Sequence, residues 1–121
     1  ELQAFLGACD HVAALLPETT QTSGLMDAAA FSAMRPGAVL VNAGRGSLVD
    51  EPALVQALAS GHLGGAVLDV FNEEPLPPGH PFWTAPGLSI TAHVAAVFLE
   101  NLARFQSGKP LKYVLDPERG Y

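Results

Sequence analysis

The stretch AVLVNAGRGSLVDEPALVQALASGHLGGAVLDVF, residues 38–71, decides the fold of this chain. It begins with a short apolar run, 38–42, that predicts a β-strand ending at a glycine loop. Asp50 is placed to cap a helix that Gly61 ends, and an acidic residue and a proline lie in its first turn. A second apolar run, 64–71, predicts the next strand. Strand, helix and strand in this order with short connections are typical of a parallel α/β sheet.

The same alternation continues on both sides of this stretch. We predict strands over His11–Leu16 and Leu88–Thr91, and helices over 28–34, capped by Asp27, and from about Val94 to Gln106. The strands are near-continuous apolar runs, which favours a parallel sheet covered on both faces. The predicted fold class is α/β with a doubly wound parallel sheet.

Composition restricts the classes of function. The 121 residues suit one modest domain, and 49% hydrophobic with 15% charged residues predicts a well-buried globule. A net charge of −6 argues against a nucleic-acid groove, which needs clustered Lys and Arg. No apolar run reaches the roughly 18 residues of a membrane span, and because the chain opens in mid-pattern at Glu1 we expect no secretory signal. The single cysteine, Cys9, fits a reducing compartment, and we expect a core position for it rather than a reactive thiol.

Two features predict that the chain is part of a longer protein. No Gly-x-Gly-x-x-Gly follows any predicted strand, so the usual pyrophosphate-binding loop is missing. The first strand would also leave one edge unpaired, which is costly for a buried parallel strand. We therefore expect a partner strand on that side from outside this sequence.

Three side chains stand out because each follows a predicted strand: Arg45, Glu74 and His93. The carboxyl ends of parallel strands line the ligand crevice of an open sheet. A guanidinium binds a carboxylate through two parallel hydrogen bonds, and an imidazole exchanges protons near neutral pH. Taken singly, each has an ordinary alternative: a solvated turn for Arg45, a helix start for His93 and an acidic loop residue for Glu74.

The order of several short motifs resembles the D-isomer-specific 2-hydroxyacid dehydrogenase family. The resemblance covers nearly the whole chain and rests on Leu15-Leu16-Pro17, Asn42-Ala43-Gly44-Arg45-Gly46, Val49-Asp50-Glu51, Leu68-Asp69-Val70-Phe71, Glu74-Pro75-Leu76-Pro77, His80-Pro81-Phe82-Trp83 and Thr91-Ala92-His93-Val94-Ala95-Ala96. The proline-rich stretch after Glu74 and the closing residues 116–121 look most like the glyoxylate/hydroxypyruvate reductase A subgroup.

The resemblance implies a Rossmann-like nucleotide-binding domain of which only the second half lies here. Residues 1–97 would form the C-terminal half of the NAD(P)-binding domain, and residues 98–121 a helix and tail returning to the substrate domain. The implied activity is NAD(P)H-dependent reduction of small 2-oxoacids such as glyoxylate and hydroxypyruvate, by a cytoplasmic homodimer. NADP is favoured over NAD by resemblance only.

The resemblance also implies a role for each site residue. Arg45 would hold the substrate carboxylate and polarise the ketone, His93 would be the general acid, and Glu74 would hydrogen-bond His93 and raise its pKa. Glu73, next to it, has no expected role. Asp69 would face the nicotinamide, or simply cap the following turn. The implied cofactor contacts are Leu16, Pro17, Thr22, Ala43, Gly44, Arg45, Asp69, His93, Ala95 and Ala96.

The chain departs from the family pattern in two places. Ala92 replaces the proline that usually precedes the catalytic histidine, which puts the rigidity of that histidine in doubt. The helix after Val97 is short, which suggests that Val97-Phe98 joins segments that are separate in the full protein.

Some alternatives stay open at this point. Trp83 is a candidate wall of the substrate site, with an interdomain or core packing role as the alternative, and His11, His62 and His80 are expected to be structural. No spacing of His, Cys and Asp predicts a metal site. The rival functions are a non-catalytic nicotinamide-sensing protein, like the corepressor relatives of this family, and an inert fragment of a reductase.

Overall fold

A computed structural model of the chain describes residues 1–91 and residues 104, 108 and 109. The chain divides into two compact units, Glu1–Thr91 and Ala92–Tyr121. In the second unit the Lys109 backbone N–H donates to the Arg104 carbonyl (2.8 Å). The helix predicted over 94–106 lies almost wholly outside the described residues, and the assignment of residues 98–121 to a second domain stays a prediction.

The first unit is a four-stranded parallel sheet with helices between its strands, which confirms the α/β fold class. The strands lie in the order β1-β2-β3-β4. In register, Val39 is opposite both His11 and Gly65, and Leu68 is opposite Ile90. The elements are α1 (Leu2–Leu6), β1 (His11–Ala14), α2 (Ala28–Ala33), β2 (Val39–Asn42), α3 (Glu51–Ala59), β3 (Gly65–Leu68) and β4 (Leu88–Ile90), with 3₁₀ turns at Gly46–Leu48 and Pro81–Trp83.

Burial alternates along the strands, so the two faces of the sheet differ. Val12, Leu40 and Leu68 point into a core shared with α2 and α3, whereas Ala13 is exposed and Val41 is only partly buried. Crossovers between parallel strands are right-handed, and strands added in one direction place both crossover helices on the same face. The expectation of a sheet covered on both faces is therefore met on one face only within the described residues.

Local capping chemistry fixes the two crossover helices as predicted. Asp27 Oδ1 accepts the Ala30 N–H (2.8 Å), and Asp50 Oδ1 accepts the Ala53 N–H (3.0 Å). Each bond satisfies a backbone donor that the first helical turn leaves without a partner. Gly61 follows α3 with φ of 73°, a conformation that costs glycine little.

Strand boundaries and short helices differ from the predictions. β1 ends at Ala14, two residues earlier than predicted, and β3 spans only four of the eight residues predicted for it. Apolar character continues beyond each strand, but pairing stops where the neighbouring strand ends. The sequence also did not predict α1 or the two 3₁₀ turns, which are too short to show a helical period. Among the described residues no helix has the length and apolar character needed to cross a membrane.

Candidate active site

The loop after β2 is held by a buried side chain. Asn42 is 1% exposed; its Nδ2 donates to the Arg45 carbonyl (2.9 Å) and its Oδ1 accepts the Gly44 N–H (3.1 Å). The amide thereby closes the loop on itself and fixes the backbone from which Arg45 projects. Sequence reasoning treated Asn42 only as the end of a strand, although Asn is a residue type that commonly bonds backbone groups two or three positions onward.

The Arg45 side chain is exposed at the carboxyl end of β2. Its Nη1 donates to the Gly44 carbonyl (3.0 Å), which holds the guanidinium over its own loop. A guanidinium carries five N–H donors, so this bond still leaves donors for a carboxylate. The location fits the carboxylate-binding role that the resemblance implies.

Close backbone contacts explain the two glycines beside Arg45. A Cβ on Gly44 would lie 3.0 Å from the Leu16 carbonyl oxygen and 3.1 Å from that of Ala14. A Cβ on Gly46 would overlap the backbone carbonyl group of Phe71. The loop after β2 is thus packed against the segment that follows β1 on one side and the segment that follows β3 on the other.

Asp69 follows β3 and lies beside the end of β4. Its backbone N–H donates to the Asn42 carbonyl (2.9 Å), and its Oδ1 accepts the Thr91 hydroxyl (2.7 Å). Both side chains are half-buried. Thr91 shows no role in the sequence, because only strand register brings it to Asp69.

Glu74 lies in the loop after β3, and its Oε1 accepts the Phe71 N–H (3.0 Å). The Glu74-Pro75 peptide bond is cis. Glu74 is exposed, as is its neighbour Glu73. The bond to Phe71 ties the Glu74 carboxylate to the backbone against which Gly46 packs, so the Arg45 and Glu74 loops are in contact.

The segment after β1 carries three of the predicted cofactor contacts, Leu16, Pro17 and Thr22. Leu16 is 45% exposed, and the Thr22 hydroxyl donates to the Pro17 carbonyl (2.7 Å), which folds the segment into a compact loop. Ala43, next to this loop, is exposed at the carboxyl edge of the sheet, whereas Gly44 is buried against the Leu16 carbonyl. The cofactor-contact roles of these residues stay predictions.

Several predicted site residues lie outside the described part of the chain. These are His93, Ala95 and Ala96, together with Ala92 and the Val97-Phe98 junction. The predicted hydrogen bond between Glu74 and His93 also falls there. Within residues 1–91 the structure brings Arg45, Asp69 and Glu74 to one edge of the sheet.

The structure shows the contacts of one aromatic and two histidine candidates. Trp83 is 55% exposed and its indole N–H donates to the Pro77 carbonyl (2.8 Å), so it does not pack in the core of this unit. A wall of the substrate site and an interdomain contact both stay predictions for it. His62 Nε2 contacts the last carbonyls of α2, Phe31 O (3.0 Å) and Met34 O (3.1 Å), a structural role. His80, which showed no partner pattern in the sequence, lies 3.3 Å from the Glu51 carboxylate. Among the described residues no three His, Cys, Asp or Glu side chains group as metal ligands.

Comparison with known proteins decides the family. Residues 1–95 match the family described as D-isomer specific 2-hydroxyacid dehydrogenase, NAD binding domain. The chain belongs to this family. The fold class and the family were therefore predicted correctly, and NAD(P) is the cofactor that this family of domains binds.

Two curated relatives of this dehydrogenase domain have the same name. It is 38% identical to glyoxylate/hydroxypyruvate reductase A of Photorhabdus laumondii, over 100% of this chain and 42% of that protein. It is 39% identical to the protein of the same name from Serratia proteamaculans, over 98% of this chain and 41% of that protein. The chain thus spans about two-fifths of the length of these relatives.

Solved structures of dehydrogenases agree with this assignment. A D-isomer specific 2-hydroxyacid dehydrogenase from Xanthobacter autotrophicus, solved with NADPH, superimposes with a TM-score of 0.74 at 40% identity, over 99% of this chain and 53% of that one. A second solved relative is an NADPH-dependent glyoxylate/hydroxypyruvate reductase from Sinorhizobium meliloti, in complex with NADP and sulfate. It superimposes with a TM-score of 0.72 at 41% identity, over 99% of this chain and 42% of that one.

Proposed function

We propose that the protein containing this chain is a reductase of small 2-oxoacids that uses NAD(P)H, with glyoxylate and hydroxypyruvate as its substrates. The observation that carries the proposal is the placement of Arg45, Asp69 and Glu74 at one carboxyl edge of a family dehydrogenase sheet. The names of the relatives from Photorhabdus, Serratia and Sinorhizobium support the choice of substrates.

Arg45 binds the substrate carboxylate in this proposal. Its guanidinium presents a positively charged planar fork that matches a carboxylate. The Asn42 amide fixes the loop backbone and the Gly44 carbonyl holds the side chain, so little freedom is lost when the substrate binds. A 2-oxoacid held in this way has its ketone next to the Arg45 guanidinium, whose positive charge polarises the ketone.

His93 is proposed as the general acid that protonates the ketone oxygen, with Glu74 as its partner. A carboxylate beside an imidazole favours the protonated form, which is the form that gives up a proton during reduction. Glu74 is suited to this task because its other hydrogen bond, to the Phe71 N–H, restrains the carboxylate.

The residues at the sheet edge fit a nicotinamide cofactor, which supplies the hydride when bound. Leu16, Pro17, Thr22, Ala43 and Gly44 are proposed to contact the cofactor on one side. Asp69 is proposed to meet the nicotinamide, its carboxylate oriented by Thr91. We further propose NADP as the preferred coenzyme, supported by relatives solved with NADPH or NADP. A cytoplasmic location and a homodimer are proposed from the family resemblance.

The test is oxidation of NADPH and NADH by the full-length protein with glyoxylate and hydroxypyruvate. Arg45→Ala and His93→Ala should each lower kcat/KM by about a hundredfold or more, as loss of a positioned clamp or acid predicts. Arg35→Ala is the matched control, because Arg35 is an exposed cation before β2 that pairs with Asp10. Nucleotide binding without turnover on any small 2-oxoacid would reject the reductase and favour a nicotinamide sensor. Turnover by the isolated 121-residue chain would reject the inert-fragment alternative.

A further inference from the structure

The Glu51 side chain makes contacts that its position in a helix does not require. It lies in the first turn of α3, where Asp50 already caps the helix. Its Oε1 accepts the backbone N–H of Asn72 (3.0 Å), and its Oε2 lies 3.3 Å from Nε2 of His80. The side chain is only 15% exposed and that of His80 20%. A largely buried carboxylate with both oxygens engaged is a specific structural element, since burial without partners would be costly.

The hydrogen bonds of His80 fix its tautomer and its orientation. Its Nδ1 accepts the backbone N–H of Phe82 (3.3 Å), so the ring proton lies on Nε2 and is donated toward Glu51. The imidazole also meets the Phe82 ring edge-on, with 4.7 Å between centroids, and Phe82 contacts Phe71 at 6.3 Å. The His80 imidazole thus connects α3 to the 3₁₀ turn before β4.

These contacts hold both ends of the loop that carries Glu74. Asn72 lies two residues before Glu74, and His80 lies six residues after it. We propose that Glu51 is a positioning residue: its carboxylate contacts both ends of the loop 72–80 and thereby fixes the location of the Glu74 carboxylate. The inference rests on the proposed function, since it concerns the geometry of the same site.

The chemistry of a carboxylate explains why glutamate is needed at this position. Both partners, the Asn72 N–H and the His80 Nε2–H, are donors. A side chain that binds both therefore needs two acceptor atoms. Glutamine has the same length but only one acceptor oxygen, and its NH₂ group would face a donor. Alanine has none. We therefore expect the loop 72–80 to be held most firmly in the wild type, less firmly in Glu51→Gln and least firmly in Glu51→Ala.

The experiment compares Glu51→Gln and Glu51→Ala with wild type in the full-length protein. Glu73→Ala is the matched control, because it removes an exposed carboxylate from the same loop. Backbone amides of residues 72–80 should exchange with deuterium about tenfold faster in Glu51→Ala, with Glu51→Gln in between and the control unchanged. The kcat for the oxoacid at saturating NADPH should fall about tenfold in Glu51→Ala, while KM for NADPH stays within about twofold.

A double-mutant cycle separates positioning from general destabilisation. If Glu51 acts through Glu74, Glu51→Ala should lower kcat by less than about twofold in a Glu74→Gln background. A full tenfold loss in that background would overturn the proposal, as would Glu51→Gln and Glu51→Ala variants that match wild type in kcat. A wild-type protein without oxoacid turnover would instead reject the proposed function itself, and the positioning role with it.

Discussion

Thr91 and Asp69 are joined by a 2.7 Å hydrogen bond from the Thr91 hydroxyl to Oδ1 of Asp69, at the point where β4 and β3 end. The backbone sets up this pair, because the Thr91 N–H donates to the Leu68 carbonyl (2.9 Å) and continues the pairing of the two strands. The side chain of a residue with no chemistry of its own thereby orients a carboxylate at the edge of the candidate site.

Two substitutions of Thr91 should distinguish what its hydroxyl contributes to stability from what its methyl group contributes. Thr91→Val keeps the shape and removes the donor, so we expect a loss of about 1 kcal/mol in the free energy of unfolding. Thr91→Ser keeps the donor and should stay closer to wild type. Chemical denaturation of the full-length protein measures both. A larger loss for Thr91→Ser than for Thr91→Val would mean that packing of the methyl group, not the hydrogen bond, is what Thr91 contributes.

Asn42 should be among the least replaceable residues of the sheet. Asn42→Ala leaves the buried Gly44 N–H and the Arg45 carbonyl without their partner, which predicts a loss of about 2 kcal/mol in unfolding free energy. Asn42→Asp keeps the acceptor but points a carboxylate oxygen at the Arg45 carbonyl, so it should be no better than alanine. Denaturation curves test stability, and kcat/KM for the oxoacid should fall in both variants. A fully active, stable Asn42→Asp variant would contradict this account.

Contacts between near neighbours were predictable from the sequence, and contacts across the sheet were not. The caps at Asp27 and Asp50 join residues three apart, so residue type and position alone indicate them. The pairs Asp69–Thr91 and Glu51–His80 join residues more than twenty positions apart. Strand register and the path of the loop after β3 bring each pair together, and neither is visible in hydrophobic periodicity.

Strand ends were predicted poorly for a related reason. Leu15 is as apolar as the residues of β1, yet it is 67% exposed and lies beyond the paired strand. At a ligand-binding edge, apolar residues can serve contacts other than the core. The sequence therefore indicated Arg45 and Glu74 as candidate site residues, but it could not show where the paired part of each strand stops.

Two glycines should respond differently to alanine. Gly46→Ala places a methyl group on the Phe71 carbonyl, and a displaced backbone should cost about 3 kcal/mol of unfolding free energy. At Gly61 nothing lies within 4 Å of the point that a Cβ would occupy, and only the φ of 73° is unfavourable, so alanine should cost about 1 kcal/mol. Denaturation midpoints and slopes measure both losses. A larger effect at Gly61 than at Gly46 would show that the loops of Arg45 and Glu74 are not packed as described.

Arg45→Lys tests whether the shape of the cation matters as well as its charge. Lysine keeps the positive charge but lacks the planar fork and cannot bind a carboxylate through two parallel hydrogen bonds. We therefore expect KM for the oxoacid to rise about tenfold, with a smaller fall in kcat than in Arg45→Ala. Arg35→Lys is the control, since Arg35 lies before β2 and should not affect either constant. If Arg45→Lys binds the oxoacid as well as wild type, the guanidinium acts only as a point charge, and the two-point clamp proposed for Arg45 is wrong.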